Sequence, residues 1–214
     1  MPSMSLESDG PGEAAGPPSR QRWRYLDDPV AIRALAHPLR HDLMGIIGRL
    51  GRATTAQAAQ ELGISHGLAS HHLRQLAKYG FVEEVAGKDN RERPWRLVAT
   101  SYNWAGAARS PDGTAAVDVV EQVYAEQVLE RFLGWQQRRG GWPQAWREST
   151  GMGRSTVYLT QAELTELAAA MDALLLRYVD ERPLDELAAR PPGSVAVDFT
   201  IFVIPAAKNP PGQD

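Results

Sequence analysis

Residues 54–84 read TTAQAAQELGISHGLASHHLRQLAKYGFVEE and contain the strongest structural signals of the chain. Thr54 followed by Gln57 is the capping-box pattern that begins a helix, and Gly63 is the residue type that ends one in the left-handed conformation. Ser65 then provides a preferred N-cap for a second helix. The stretch therefore predicts two short helices joined by a tight turn.

The residues on either side extend this pattern. Residues 29–36 and 38–49 are predicted to be helices, because each segment follows an N-cap candidate and begins with proline. Residues 81–85 and 94–98 are predicted to be two short strands around the polar turn GKDNRER. Helices followed by a helix-turn-helix pair and a basic hairpin predict a winged helix-turn-helix.

The second helix of the pair has two different faces on a wheel of about 100° per residue. One side can pack on the preceding helices and consists of Ala69, His72, Leu73 and Leu76. The other side is small, polar or basic, as a helix that enters the DNA major groove must be. Helix N-termini and a basic hairpin suit phosphates. We expect DNA contacts from Thr54, Ser65, His66, Gly67, Ser70, His71, Arg74, Lys78, Lys88, Arg91 and Arg93.

The charge distribution favours the same interpretation, although the whole chain has a net charge of −3. Residues 20–100 carry 13 Lys or Arg against 8 Asp or Glu, whereas residues 101–214 carry 10 against 15. Positive charge therefore lies on the segment that we predict to bind DNA. Two alternatives remain: a solvated polar face in another small helical domain, and a winged helix that binds proteins without specific DNA binding.

The second half of the chain has a different pattern. After a predicted loop over residues 100–113, apolar residues at helical spacing predict a long helix over 114–139. A capping box at its start predicts another helix over 160–179. Residues 155–159 and the alternating run 195–203 are predicted to be two paired strands. The helix over 114–139 is the predicted dimer seam, together with residues 30–36.

These patterns divide the chain into three parts. Residues 1–19 are rich in Gly, Pro, Ser and Glu and are expected to be disordered. Residues 20–100 form the predicted winged helix-turn-helix, and residues 101–214 form a predicted helix-strand-helix-strand region for dimerisation and sensing. The fold class is therefore α+β. The basic entry segment is either a DNA-contacting arm or a solvated start, and its arginines are Arg20, Arg22 and Arg24.

Several classes of protein are excluded or disfavoured by the composition. The absence of cysteine excludes disulfides, thiolate metal sites and cysteine nucleophiles. No apolar run approaches the roughly 20 residues that span a bilayer, and the N-terminus does not resemble a secretory signal. We expect a cytoplasmic protein that is not an enzyme, since no catalytic motif is present and GMGRST at residues 151–156 lacks the features of a phosphate loop. No cofactor is expected.

The stretches ALAHPLRHDLMGII and QELGISHGLASHHLRQLAKYGFVEE, with the hairpin that follows, resemble the ArsR-type winged-helix transcriptional regulators. The C-terminal part more loosely resembles a branch in which a helix beginning LTxxEL lies between two strands. The resemblance implies a homodimer on an inverted-repeat operator, with repression relieved by effector binding or dissociation. It places the recognition helix at residues 65–79 and the wing at about residues 82–97.

The resemblance also bears on the signal. Metal-sensing members use cysteines, or His, Asp and Glu in the last helix, but this chain has no cysteine and no histidine after His72. His37 and His41 have the spacing of two zinc ligands, but no third ligand is evident and His37 is also an N-cap candidate. A histidine-based metal-responsive repressor therefore stays an alternative. Our main expectation is a repressor with an organic effector, bound in a pocket lined by Trp104, Tyr124, Trp135, Trp142, Trp146 and Tyr158. Core and dimer packing is the other role for these aromatics.

Overall fold

The structure, a computed structural model, describes residues 21–87 and 92–206, without the side chains of residues 21–23 and 105. The N-terminal part contains, in order, β1 (Gln21–Tyr25), α1 (Pro29–Leu35), α2 (Pro38–Leu50), α3 (Thr55–Leu62), α4 (His66–Lys78), β2 (Val82–Glu84), β3 (Trp95–Leu97) and β4 (Ala99–Asn103). The C-terminal part contains α5 (Pro111–Arg138), α6 (Gln144–Ser149) and α7 (Gln161–Glu181), with 3-10 turns at Ala105–Arg109, Arg139–Gly141 and Leu187–Ala189. The fold is α+β with an N-terminal helix-turn-helix, as predicted.

The predicted side-chain caps of α1 and α3 are present, whereas His37, the N-cap candidate of α2, makes no side-chain cap bond. The Asp28 side chain accepts a hydrogen bond from the Val30 amide at 2.9 Å. In the capping box, the Gln57 amide donates to the Thr54 hydroxyl at 3.2 Å and the Thr54 amide donates to the Gln57 side chain at 2.8 Å. These bonds satisfy amides that have no partner within the helix. The cap residues therefore fix where α1 and α3 begin.

One hydrophobic core unites α1 to α4, the wing and the first half of α5. Its largest fully buried side chains are Phe81, Ile32, Leu35, Leu43, Ile47, Leu73, Leu76, Val82 and Val120. The part of α5 between Ala116 and Val120 belongs to this cluster. Gln127, about two turns further along, donates from its buried side chain to the Pro38 carbonyl at 2.8 Å. α5 is therefore anchored to the winged helix along its N-terminal half.

The predicted hairpin is confirmed. β2 pairs with β3 in antiparallel register, with Val82 opposite Leu97. An isolated β-bridge also pairs Ala53 with Trp95 of β3. The Ala53 amide donates to the Trp95 carbonyl at 3.0 Å, and the Trp95 amide donates to the Ala53 carbonyl at 2.8 Å. The tip of the hairpin, residues 88–91, lies outside the described residues, and so do the predicted contacts Lys88 and Arg91.

The predicted loop over residues 100–113 is wrong. β4 occupies its start and pairs in parallel with β1, so that Gln21 lies opposite Ala99 and Tyr25 opposite Asn103. A 3-10 turn follows at Ala105–Arg109, and α5 begins at Pro111. This pair could not be predicted from local patterns, because parallel strands are not joined by a short turn and β4 (ATSYN) does not alternate clearly between apolar and polar residues.

The predicted helices over 114–139 and 160–179 are confirmed as α5 and α7. The capping box of α7 is also formed, with the Glu163 amide donating to the Thr160 hydroxyl at 3.3 Å and the Thr160 amide donating to the Glu163 carboxylate at 2.7 Å. The short helix α6 was not predicted. None of the helices in the described ranges is long and apolar enough to span a bilayer.

The predicted strands at residues 155–159 and 195–203 do not form. Neither segment has strand structure, and their apolar side chains are exposed. The exposed fraction is 101% for Tyr158 and 68% for Phe199. An alternating pattern shows which residues would share a strand face, but a strand also needs a neighbour, and within the described chain neither segment provides one for the other.

Candidate nucleic-acid interface

The turn between α3 and α4 has the tight geometry that the sequence predicted. Gly63 adopts a left-handed conformation with φ +63°, and the Ile64 amide donates to the Ala59 carbonyl at 3.0 Å. The Ser65 hydroxyl accepts from the Leu68 amide at 3.2 Å and caps α4. These contacts hold α4 in a defined direction relative to α3.

The two faces of α4 are as predicted. Ala69, Leu73 and Leu76 are fully buried and His72 is 5% exposed. The opposite side is open to solvent at five positions of the helix and partly open at Ser70; the exposed residues are His66, Gly67, His71, Arg74 and Lys78. A side chain added at Gly67 would meet nothing within 4 Å, so a ligand can approach the backbone there. The face is small, polar and basic over three turns.

Arg74 lies at the centre of this face. Its Nε atom donates to the Ser70 carbonyl at 3.2 Å, within the same helix. Among the described residues, the two terminal nitrogens of this exposed guanidinium make no hydrogen bond. A guanidinium in this position can bind the guanine O6 and N7 acceptors together, or a phosphate.

The hydroxyls at the N-termini of α3 and α4 differ in whether they can donate to a phosphate. The Ser65 hydroxyl is exposed and accepts the capping bond, so its own hydrogen remains available to a phosphate oxygen. The Thr54 hydroxyl lies 3.2 Å from the Gln57 side-chain oxygen and donates to it. Thr54 is therefore engaged in the capping box, and of the two hydroxyls Ser65 is the better phosphate donor.

The described part of the wing has two basic side chains, Arg93 and Arg96. Arg93 is 77% exposed and lies 3.7 Å from the Glu84 carboxylate. Such an exposed ion pair contributes little to stability, so Arg93 is free to exchange it for a phosphate. Arg96, by contrast, donates to Glu83 at 2.8 Å across the hairpin.

The basic entry segment is partly structural. Arg24 donates from Nη1 to the Gly80 carbonyl at 2.6 Å and lies over the Phe81 ring at 4.8 Å from its centroid. Arg24 therefore fixes the end of α4 and the start of the wing, and in this position it is not part of a DNA-contacting arm. Arg20 lies outside the described residues, as does the side chain of Arg22.

Histidines lie on the buried side of α4. The His37 and His72 rings are 4.4 Å apart, and Arg40 Nε donates to His72 Nδ1 at 3.4 Å. Burial lowers the pKa of His37, His41 and His72, with Arg40 adding to the effect on His37 and the neighbouring His37 adding to the effect on His72. His37 begins α2 without a side-chain cap bond. Among the described side chains, no three His, Asp or Glu are arranged to hold a metal ion.

The predicted aromatic pocket is divided into separate groups in the single chain. Trp135, Trp142 and Trp146 form an edge-to-face row with centroid distances of 5.3 and 5.8 Å. Tyr124 lies against His41 at 5.6 Å, and Tyr158 is fully exposed.

Trp104 lies apart from the tryptophan row and from Tyr124, and its Nε1 donates to Glu121 at 3.0 Å. A surface cavity of about 210 Å³ lies here, lined by Tyr102, Asn103, Trp104 and Glu121. The Tyr102 hydroxyl donates to the Ala99 carbonyl at 3.3 Å, and burial raises the pKa of Tyr102 to about 12.

Comparison with known proteins supports the helix-turn-helix assignment. Residues 35–85 match a family described as a helix-turn-helix domain. No curated protein matches the chain. Solved structures with some likeness include the heme sensor protein PefR from Streptococcus agalactiae in complex with heme, at 17% identity and a TM-score of 0.29, covering 73% of this chain and 81% of that one. A mutant of Lactococcus lactis ZitR is 18% identical with a TM-score of 0.28, covering 66% of this chain and 73% of that one.

Proposed function

We propose that this protein is a transcriptional regulator that binds a specific operator in double-stranded DNA through α4 and the wing. The observation that carries the proposal is the exposed face of α4, in which Gly67, His71 and Arg74 follow a helix-turn-helix turn. A helix with this face fits the major groove, and its N-terminal residues reach base edges.

We further propose that the protein binds its operator as a homodimer. A two-fold dimer places one recognition helix on each half-site, about 34–36 Å apart. α5 has an outward face on the side away from the winged helix, where Val119, Leu129 and Leu133 are about half exposed. Residues at these positions lie within about 80° of one another on the helix, so they form one stripe for a second copy of the chain.

The regulatory part of the proposal is repression that an organic effector relieves. The aromatic row Trp135, Trp142 and Trp146 and the cavity beside Trp104 are the candidate contact points for such a ligand. Aromatic side chains suit an organic molecule because they offer apolar surface together with a few polar groups.

Arg74→Ala tests the proposed function on DNA taken from upstream of the protein's own gene. The unchanged protein should shift this DNA in a gel assay and should prefer it over unrelated DNA. Arg74→Ala should weaken specific binding by about 1–3 kcal/mol, because a bidentate contact to a base is lost.

Arg154→Ala is the matched control, since this exposed arginine lies in the segment between α6 and α7. The control should bind like the unchanged protein. Intact specific binding by Arg74→Ala would contradict the assignment of Arg74, and failure of the unchanged protein to bind any DNA would contradict the proposed function.

A further inference from the structure

The chain returns to the winged helix after α7. Residues 183–190, called here the return segment, lie against the end of α2. Arg190 makes the central contacts: Nη1 donates to the Arg49 carbonyl at 2.8 Å, and Nη2 donates to the Leu184 carbonyl at 2.7 Å. A longer bond of 3.5 Å joins Nη2 to the Gly48 carbonyl. Carbonyls in the last turn of a helix have no partner within it, so the guanidinium caps α2 from the C-terminal half of the chain.

A close backbone approach accompanies these bonds. Gly51 follows α2 and has φ +77°, a conformation that favours glycine. A Cβ atom added there would lie 2.7 Å from the Leu184 carbonyl oxygen and 3.0 Å from Asp185 Cα. Gly51 is therefore needed both for its own backbone conformation and for the packing of the return segment.

The return segment also contacts the wing. Asp185 Oδ2 lies 3.7 Å from Arg96 Nη1, and Arg96 is the β3 residue that donates to Glu83 of β2. The Leu184 and Leu97 side chains both approach Gly48, since a Cβ there would lie 3.7 and 3.3 Å from their methyl groups. One short segment thus binds the end of α2 and the base of the wing at the same time.

The wing is joined to the helix-turn-helix at this same corner. The Ala53–Trp95 bridge lies two residues after Gly51, and Trp95 Nε1 donates to the Thr55 hydroxyl at 3.0 Å at the start of α3. The end of α2, the start of α3 and β3 therefore meet where the return segment binds. Movement of this segment would change the position of the wing relative to α4.

We propose that the return segment sets the position of the wing for DNA binding, and that Arg190 is its positioning residue. The inference rests on the proposed function, because it concerns the affinity of the same DNA-binding surface. Arg190 then affects the affinity for DNA although it does not contact the DNA itself. It also gives the C-terminal region a direct physical route to that surface, since the return segment follows α7.

Fluorescence anisotropy with the operator fragment tests this assignment on the full-length chain. Arg190→Ala should weaken DNA binding about fivefold or more, a size typical of coupling between sites. The dependence of log affinity on log salt should flatten by about one unit, because a wing contact to phosphate is lost. Arg190→Lys should have an intermediate affinity, since one ammonium cannot serve the same carbonyls as a planar guanidinium. Arg154→Ala should behave like the unchanged protein.

A purely structural role for Arg190 would lower the melting temperature and the fraction of active protein. The affinity and salt slope of the active fraction would then be unchanged, and this result would overturn the proposal. Equal or tighter binding by Arg190→Ala would also overturn it.

Amide hydrogen exchange tests the same inference without DNA. In Arg190→Ala, the Ala53 and Trp95 amides should exchange faster, whereas the α4 amides that donate to carbonyls within the helix should not change. Unaltered exchange at Ala53 and Trp95 would overturn the inference. If the unchanged protein binds no DNA but the exchange of these two amides responds to Arg190→Ala, the proposed function fails while the positioning of the wing by Arg190 is supported.

Discussion

The winged helix and the C-terminal region begin their helices in the same way but differ in what those helices bury. α3 and α7 each start with a complete capping box, at Thr54 and at Thr160. α3 buries Ala58 and Ala59 in the core, whereas α7 has no buried residue among the described positions. Local signals therefore decide where a helix forms, and the presence of a packing partner decides how much stability it adds.

The same contrast appears in the strands. β2 and β3 form from three residues each, because the hairpin joins them and Phe81 and Val82 enter the core. Residues 195–203 have a clearer alternation over a longer run but lie exposed without a neighbouring strand. Among the described residues, most of the exposed large apolar side chains lie in the C-terminal region.

The largest expected effect compares one leucine from each region. Leu73→Ala in α4 should lower the free energy of unfolding by about 2–5 kcal/mol, because the side chain is fully buried. Leu167→Ala in α7 should cost less than about 1 kcal/mol, because that side chain is 43% exposed. Urea unfolding of both variants measures the difference. Equal losses would mean that α7 is covered in solution, and the contrast between the two regions would not hold.

The second prediction concerns the outward face of α5. Light scattering should give about twice the chain mass of 23.5 kDa. Leu133→Glu should weaken the dimer at least about tenfold, or about 1.4 kcal/mol, because a carboxylate replaces an apolar contact.

Ala169→Glu adds the same carboxylate to an exposed position of α7 and serves as the control for Leu133→Glu. This control should leave the dimer intact. A dimer equally strong in Leu133→Glu would exclude the α5 stripe as the seam.

The smallest expected effect is a pH dependence confined to the winged helix, since all five histidines lie between His37 and His72. Burial lowers the pKa of His37, His41 and His72 in the folded protein, so the folded state disfavours their charged forms. The neutral histidines therefore contribute to the free energy of unfolding. This contribution is present above the unfolded pKa of about 6.5 and is lost as the pH falls through the lower pKa values of the folded protein. Urea unfolding at pH 7.5 and 5.5 should therefore show lower stability at the acidic value.

His72→Gln separates this effect from carboxylate titration. Burial raises the pKa of Asp42, so protonation of this carboxylate on acidification favours the folded state. This change in stability is opposite in sign to that of the histidines. The groups facing His72 are His37, Arg40 and His71. The variant should have a smaller loss of stability between the two pH values, and an unchanged loss would assign the effect to other groups.

Features that depend on neighbours in the sequence could be predicted. The Thr54 and Thr160 caps, the Gly63 turn and the two faces of α4 all follow from residues within a few positions of one another. Contacts between distant segments could not. Arg190 binds a carbonyl 141 residues away, and Arg24 binds one 56 residues away. Nothing in the residues around either arginine distinguishes it from an exposed one.

The parallel pair of β1 and β4 has a consequence for the order in which this molecule folds. Its strands lie before α1 and after β3, so nearly the whole winged helix is the loop that their pairing must close. Closing so long a loop in an unfolded chain is unfavourable, whereas a folded winged helix brings the two ends together at little further entropic cost. We therefore expect the pair to form after the winged helix, and the Arg24 bond to Gly80 to form only once α4 is already packed.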